Sequence, residues 1–283
     1  PERPVAALLA DMKTYLGDHA RLAHGLPMVF VMVMFMYVFV QLKANIPVLV
    51  PFSWDESLAR WDAALHFGKH PWEWLQPLLG YPFITFLVNI NYNAWFAVMW
   101  VVWMYFAFSE RSSVTRSQFF LTFFTAWIIG GGLMAIYFSS VGPCFYGRAG
   151  LSPDVFAAQM EYLRYANSQF PVFAVNVQDL LWEGYASGGS LEGISAMPSM
   201  HNGTALLFAL AGFRVSRTMG RLLLAHAFGI FIGSVHLAWH YAIDSYVAWA
   251  LVLVLWWVMG HVARWWHQTS AQCDFDAALA EAR

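Results

Sequence analysis

The sequence predicts an all-α membrane protein with six transmembrane helices and further helices lying in the membrane interface. Three observations predict it. Hydrophobic residues make up 59% of the 283-residue chain and charged residues only 11%, less than half the roughly 25% of a soluble domain. Six stretches match or approach the about 20 predominantly apolar residues that cross a bilayer. Lys and Arg are also unevenly shared between the two sides that six crossings create, as cytoplasmic and outer loops are in membrane proteins.

The first stretch covers about residues 26–48, "LPMVFVMVMFMYVFVQLKANIPV". A Trp-rich mixture of apolar and charged residues follows it, "PFSWDESLARWDAALHFGKHPWEWLQP", and suits a helix lying in the interface. Within it Asp62, His66 and His70 stand at helical spacing. The plain reading is a solvated polar face, the other a guide for a lipid headgroup. The second span covers about 82–108 and contains "NINYN", whose amides need partners inside a membrane. The third covers about 119–138, with "GGG" at Gly130 to Gly132 read as close helix packing.

The longest loop, about 139–198, comes next. Its "SPDVFAAQMEYLRYANSQ" places Ser152 to cap a helix and Pro153 at the first helical position. "ASGGSLEG" reads as a linker. The fourth span, about 199–213, is the weakest by length. The fifth and sixth cover about 222–239 and 246–262. With no repeat or composition break, residues 1–283 are read as one membrane domain.

With six spans both termini share a side. That side holds ten Lys and Arg residues, among them Arg214, Arg217 and Arg221, and the other side holds Lys43, Arg60, Lys69, Arg148 and Arg164. The termini are therefore expected in the cytoplasm, with the long loop and the turn between spans five and six outside. A mixed polar stretch with Asp11, Lys13 and Asp18 precedes the first span, and no removable signal peptide is expected. The net charge of -2 gives no argument for nucleic acid, and two cysteines make neither a disulfide framework nor a metal cluster.

Two stretches fall on the outer face. "GISAMPSMHNG" opens span four, and "SVHLAWHYAID" crosses the turn from span five to six. His240 and Asp244 are four apart, so on a helix they share a face. A carboxylate there accepts the imidazole N–H and leaves the other ring nitrogen more nucleophilic. Pro198 is placed to begin a helix with Ser199 in its first turn, where free N–H groups favour an anion. His201 then stands beside that anion as a proton donor. The alternatives are a polar helix–helix contact for the pair and an ordinary helix start for "PSMH". His236 extends the pattern to H-x3-H-x3-D, which could be read as a zinc site. No activating Glu accompanies it and the turn breaks the helix, so no metal or other cofactor is expected. His236 is read as supporting the site or touching a headgroup.

"PSMH", followed one span later by "HYAID", resembles the phosphatidic acid phosphatase type 2 superfamily, and within it the inositol phosphorylceramide synthase-like branch. The specific part runs over about residues 193–249; upstream, "GPCFYGR" matches only loosely. The resemblance implies that His240 takes the phosphoryl group and Asp244 orients it. It implies that His201 protonates the departing oxygen and then activates the acceptor, and that Ser199 holds the phosphate. The superfamily's phosphatases carry a Ser-Arg pair where this chain has Gly233 and Ser234, and a Lys-x6-Arg-Pro motif that is absent here. Phosphoryl transfer needs cations, and Arg148 is the first candidate on the outer side, with a headgroup contact as the alternative.

The expected activity is transfer of a phosphoryl-linked headgroup between membrane lipids, with a lipid alcohol or polyol as acceptor, at the outer face of the membrane. Hydrolysis of a lipid phosphate is the alternative, and a non-enzymatic lipid-binding or transport protein is a third. Low cysteine use and an outward site fit a bacterial inner membrane; a Golgi or ER membrane fits the composition as well.

Overall fold

The structure is a computed structural model and describes residues 17–109, 113–188 and 193–281. Arg3, Lys13, Arg111 and Arg283, counted above for orientation, lie outside the described residues, as does the middle of the "ASGGSLEG" linker. Among the described residues the chain is all helical, without strands.

Helix α1 (His19–Leu49) begins at Asp18, whose carboxylate accepts the Arg21 N–H at 2.9 Å. Met32, Phe39 and Ile46, two turns apart, form its buried stripe, while Phe30, Tyr37 and Val38 are exposed. The interfacial stretch breaks into α2 (Asp55–Leu65) and α3 (Pro71–Leu79), separated by Phe67 and Gly68 at positive φ. Helix α4 (Pro82–Ala107) starts at a proline, where the missing N–H costs nothing. It buries Thr85, Asn89, Tyr92, Trp95, Met99 and Val102, a three-to-four-residue rhythm that marks one face.

Helix α5 (Val114–Ala126) runs into a π-helical turn (Trp127–Met134) and a short α6 (Ala135–Tyr137). At its start the buried Arg116 donates to the carbonyls of Phe106 (2.9 Å) and His24 (3.0 Å), tying α5 to α4 and α1. Gly131 in the π turn faces Phe39, and a Cβ there would lie 2.7 Å from the ring. Helices α7 (Ala157–Gln169) and α8 (Phe173–Ala186) fill the long loop. α7 starts later than the sequence suggested: the Asp154 carboxylate takes the Phe156 N–H at 3.0 Å, so the Ser152–Pro153 pair precedes the helix instead of opening it.

Helices α9 (Met200–Val215) and α10 (Arg217–His236) form a hairpin about Ser216, which ends one helix and caps the next through the Met219 N–H. α11 (Ala242–Trp266) follows, and then α12 (Ser270–Glu281), which the sequence reading did not anticipate. α9 packs against α4, α5, α10 and α11 and sits at the centre of the bundle.

Five helical segments have the length and composition to cross a membrane: His19–Leu49, Pro82–Ala107, Val114–Tyr137, Arg217–His236 and Ala242–Trp266. Their outward surfaces carry large apolar side chains, including Phe30, Val101, Val254 and Trp257. A patch of that extent belongs in lipid, and the chain is an integral membrane protein. The expected fourth span is α9, whose 16 residues reach only about 24 Å at 1.5 Å per residue.

Candidate active site

Ser199 is the N-cap of α9, so Pro198 lies just outside the helix and not at its first position. The reason is local: the Ser199 hydroxyl accepts Asn202 Nδ2–H at 3.0 Å and the Asn202 backbone N–H at 3.5 Å, replacing partners that the first turn lacks. Asn202 also donates to the Ser234 hydroxyl at 3.1 Å, fastening α9 to α10. The Ser199 hydroxyl is thus fully buried and engaged inside the protein.

His201 follows in the first turn. Its ring lies against Trp95 (centroids 4.1 Å apart), stacks on Tyr92 (5.1 Å) and meets Phe96 edge-on (5.8 Å). Three aromatic walls fix the imidazole plane without using its nitrogens.

His240 lies in the turn between α10 and α11. Its Nδ1 is 3.2 Å from Asp244 Oδ2, and the same oxygen accepts the Tyr241 N–H at 3.2 Å. Asp244 is completely buried in the first turn of α11, where a carboxylate also satisfies the helix dipole. A backbone bond from Ser199 N–H to the Asp244 carbonyl (3.2 Å) joins the start of α9 to the start of α11. Burial holds the His240 imidazole down at about 3, and the Lys43 ammonium adds to the shift, against a backbone hydrogen bond with Ala196. The ring is therefore neutral at physiological pH and keeps a lone pair.

His201 and His240 line one cavity of about 350 Å³. Lys43, from the largely apolar α1, lines it too. Gly193 lies against the Lys43 backbone so closely that a Cβ would collide with it. The rest of the wall is mostly apolar: Phe39, Phe96, Trp127 and Gly131 from the spans, Phe173 and Leu181 from α8.

The structure does not bring every expected residue here. Arg148 pairs with Asp179 and lines a separate surface pocket. His236 lies outside the cavity lining; its Nε2 is 2.9 Å from Thr85 Oγ1, and its carbonyl accepts Gln159 Nε2–H at 3.2 Å. It locks the end of α10 to α4 and α7. Among the described residues no group of three His, Cys, Asp or Glu is placed to hold a metal ion. Lys43 was only one of five outer cations in the sequence; its signal was a lone charge within an apolar span, which is functional by default. "NINYN" divides its amides: Asn89 Oδ1 accepts the Ala174 N–H (3.0 Å), Asn91 meets His226 (3.2 Å), and Asn93 lines the cavity.

The solvated face expected for Asp62 is absent. Asp55 and Asp62 are 2% and 1% exposed. Asp55 accepts the N–H groups of Val141 and Gly142 and the Tyr241 hydroxyl, and Asp62 accepts those of Ala242 and Ile243.

A cavity that holds two histidines and a lysine, one histidine backed by a buried carboxylate, defines a membrane protein equipped for chemistry on an anionic group. The family model of the PAP2 superfamily matches residues 56–258. The chain belongs to that superfamily, and membership points to phosphatases and phosphotransferases acting on lipid phosphates. No curated protein and no solved structure matches the chain.

Proposed function

We propose that the protein is a lipid phosphotransferase that works through a phosphohistidine at His240. The observation that carries this is the shared cavity: His240, His201 and Lys43 face the same space, and Asp244 holds His240 from behind. With Nδ1–H held by Asp244, the Nε2 lone pair attacks phosphorus. A P–N bond forms as the P–O bond to the leaving group breaks. His201 protonates the departing oxygen. In the second half His201 takes the proton of the acceptor hydroxyl, that oxygen attacks phosphorus, and the electron pair of the P–N bond returns to His240. Lys43 supplies the cation that the transferring group needs.

The mostly apolar wall supports a lipid acceptor over water, as does the His-Tyr-x-x-Asp form of "HYAID" that resembles the inositol phosphorylceramide synthase-like branch. α9 is read as a sixth, short span that needs no lipid-facing length because other helices enclose it. α2 and α3 lie in the headgroup layer, where exposed Trp61, Phe67 and Trp74 suit the interface. The Lys and Arg bias supports cytoplasmic termini and a site on the outer face, and low cysteine use with an outward site fits a bacterial inner membrane.

The test uses purified protein in detergent with a panel of phospholipids and lipid phosphates. Phosphate release and headgroup transfer to an added lipid alcohol are followed in parallel by mass spectrometry. A new phosphodiester lipid that depends on the alcohol and on His240 supports transfer. Phosphate release indifferent to the alcohol replaces it with hydrolysis. Turnover retained in His240→Ala removes the mechanism.

A further inference from the structure

We infer that Asp55 and Asp62 of α2 are positioning residues that set the place of His240 from a helix far away in sequence. The inference rests on the reading of His240 as nucleophile.

The starting point is an anomaly at the N-terminus of α11. Its N-cap is Tyr241, a residue whose side chain cannot accept the first N–H groups as Ser, Thr, Asp or Asn does. Those groups still need partners. Asp62 supplies them across the fold: Oδ2 accepts Ala242 N–H at 3.1 Å and Oδ1 accepts Ile243 N–H at 3.0 Å. Tyr241 in turn reaches away and donates its hydroxyl to Asp55 Oδ1 at 2.8 Å. The two carboxylates of α2 therefore hold residues 241–243, directly after His240.

The same clamp holds the cavity wall. Asp55 accepts Val141 N–H and Gly142 N–H, each at 2.9 Å, and Val141 lines the cavity with His240. Cys144 N–H, two residues on, donates to the Ala238 carbonyl at 2.9 Å. Asp55 thus fixes both sides of the nucleophile's surroundings.

Burying two carboxylates is costly, and a Ser or Asp at position 241 would cap α11 locally. What the long-range arrangement adds is placement. Asp244 Oδ2 must hold the His240 ring and the Tyr241 N–H together, and that geometry depends on where the first turn of α11 begins. The His66 ring extends the clamp, with Nδ1 2.6 Å from the Asp62 carbonyl and Nε2 2.9 Å from the Tyr246 hydroxyl.

The experiment compares the purified full chain with Asp62→Ala, Asp62→Asn, Tyr241→Phe and Leu58→Ala. Leu58 is fully buried on the same helix and belongs to the same apolar cluster as Tyr241, but gives no side-chain hydrogen bond to the His240 turn, so its variant reports packing lost there with both carboxylates kept. Two readouts are taken: kcat and KM on the lipid substrate, and the rate at which diethyl pyrocarbonate modifies His240, followed by mass spectrometry. A misplaced reacting group costs on the order of 10²-fold. The expected result is that loss in kcat for Asp62→Ala at unchanged KM, partial recovery in Asp62→Asn, a smaller loss in Tyr241→Phe, and an altered His240 modification rate in all three. Leu58→Ala keeps the wild-type modification rate per folded molecule. If Asp62→Ala and Tyr241→Phe lose kcat only in step with Leu58→Ala, with His240 modified at the wild-type rate, positioning is overturned. Should Asp62→Ala fail to fold, Tyr241→Phe decides in the same way. If the wild type turns over no lipid phosphate, the proposed function fails, and the modification rates alone decide for or against positioning.

Discussion

Lys43 and His240 come from opposite ends of the chain and face the same cavity, close enough for the ammonium to help hold the imidazole neutral. In the proposed mechanism, a cation that keeps the nucleophile unprotonated also attracts the anion under attack. Lys43→Met is therefore expected to lower turnover by roughly 10²–10³-fold, the scale for removing one donor to transition-state charge. Arg148→Ala, outside the cavity lining, stays within about threefold of wild type. Steady-state kinetics on the purified variants checks both.

In the proposed mechanism Asp244 and His240 act as a unit. Asp244→Asn removes the charge behind the ring and is expected to cost on the order of 10⁴-fold in kcat, by the precedent of histidine–aspartate pairs. His240→Ala with Asp244→Asn is expected to be no worse than His240→Ala alone, because groups that work as one are not additive. A double-mutant cycle on kcat measures this; additive losses separate the two residues.

Asp62 links stability to pH. Burial raises its carboxyl from the ordinary 3.8 to about 6, with Asp244 adding to the rise and the two backbone N–H groups and His66 opposing it. The folded state then keeps a proton that the unfolded state has already lost, so stability falls as pH rises from about 4 to about 6. Asp55 is shifted in the same direction by burial. Asp62→Asn is expected to flatten the fall in Tm across that window. An unchanged slope assigns the dependence elsewhere.

Gly131 allows the π turn to meet Phe39 at the cavity wall. Gly131→Val forces the ring aside and is expected to raise KM severalfold for lipids with bulky tails, with a smaller effect on kcat. A chain-length series of substrates reads this directly, and an unchanged series places the acyl chains elsewhere.

Arg116 ties three helices through their carbonyls. Arg116→Ala is expected to lose roughly 2–4 kcal/mol, seen as a lower Tm in detergent without a change in KM.

Much of this was legible because lipid simplifies sequence. Spans one, two, three, five and six announced themselves by length and composition. So did the convergence of "PSMH" with "HYAID", because alternate crossings bring those ends to one side. α9 fell short on length, with 16 residues, since an enclosed helix has no obligation to look like a membrane span. Lys43 was passed over for Arg148, whose segment "GPCFYGRAG" leaves span three on the outer side; only the packing of α1 beside Gly193 shows which cation lines the cavity. Asp62, His66 and His70 looked like one wet face of an interfacial helix. Nothing local in "WDAALHFGKH" says that its carboxylate ends as the cap of a helix about 180 residues later. α12 was missed because its mixed composition carries neither a span nor a motif.

The enclosure of α9 has a further consequence. A helix that must dissolve in lipid can carry few polar groups, and each one narrows what else it may do. α9 is released from that requirement by its neighbours. It therefore places a serine, a histidine, an asparagine and a threonine within its cap and first two turns, each with a task inside the protein. The surrounding helices serve as its solvent, and polar side chains that belong to water are housed inside an apolar bundle.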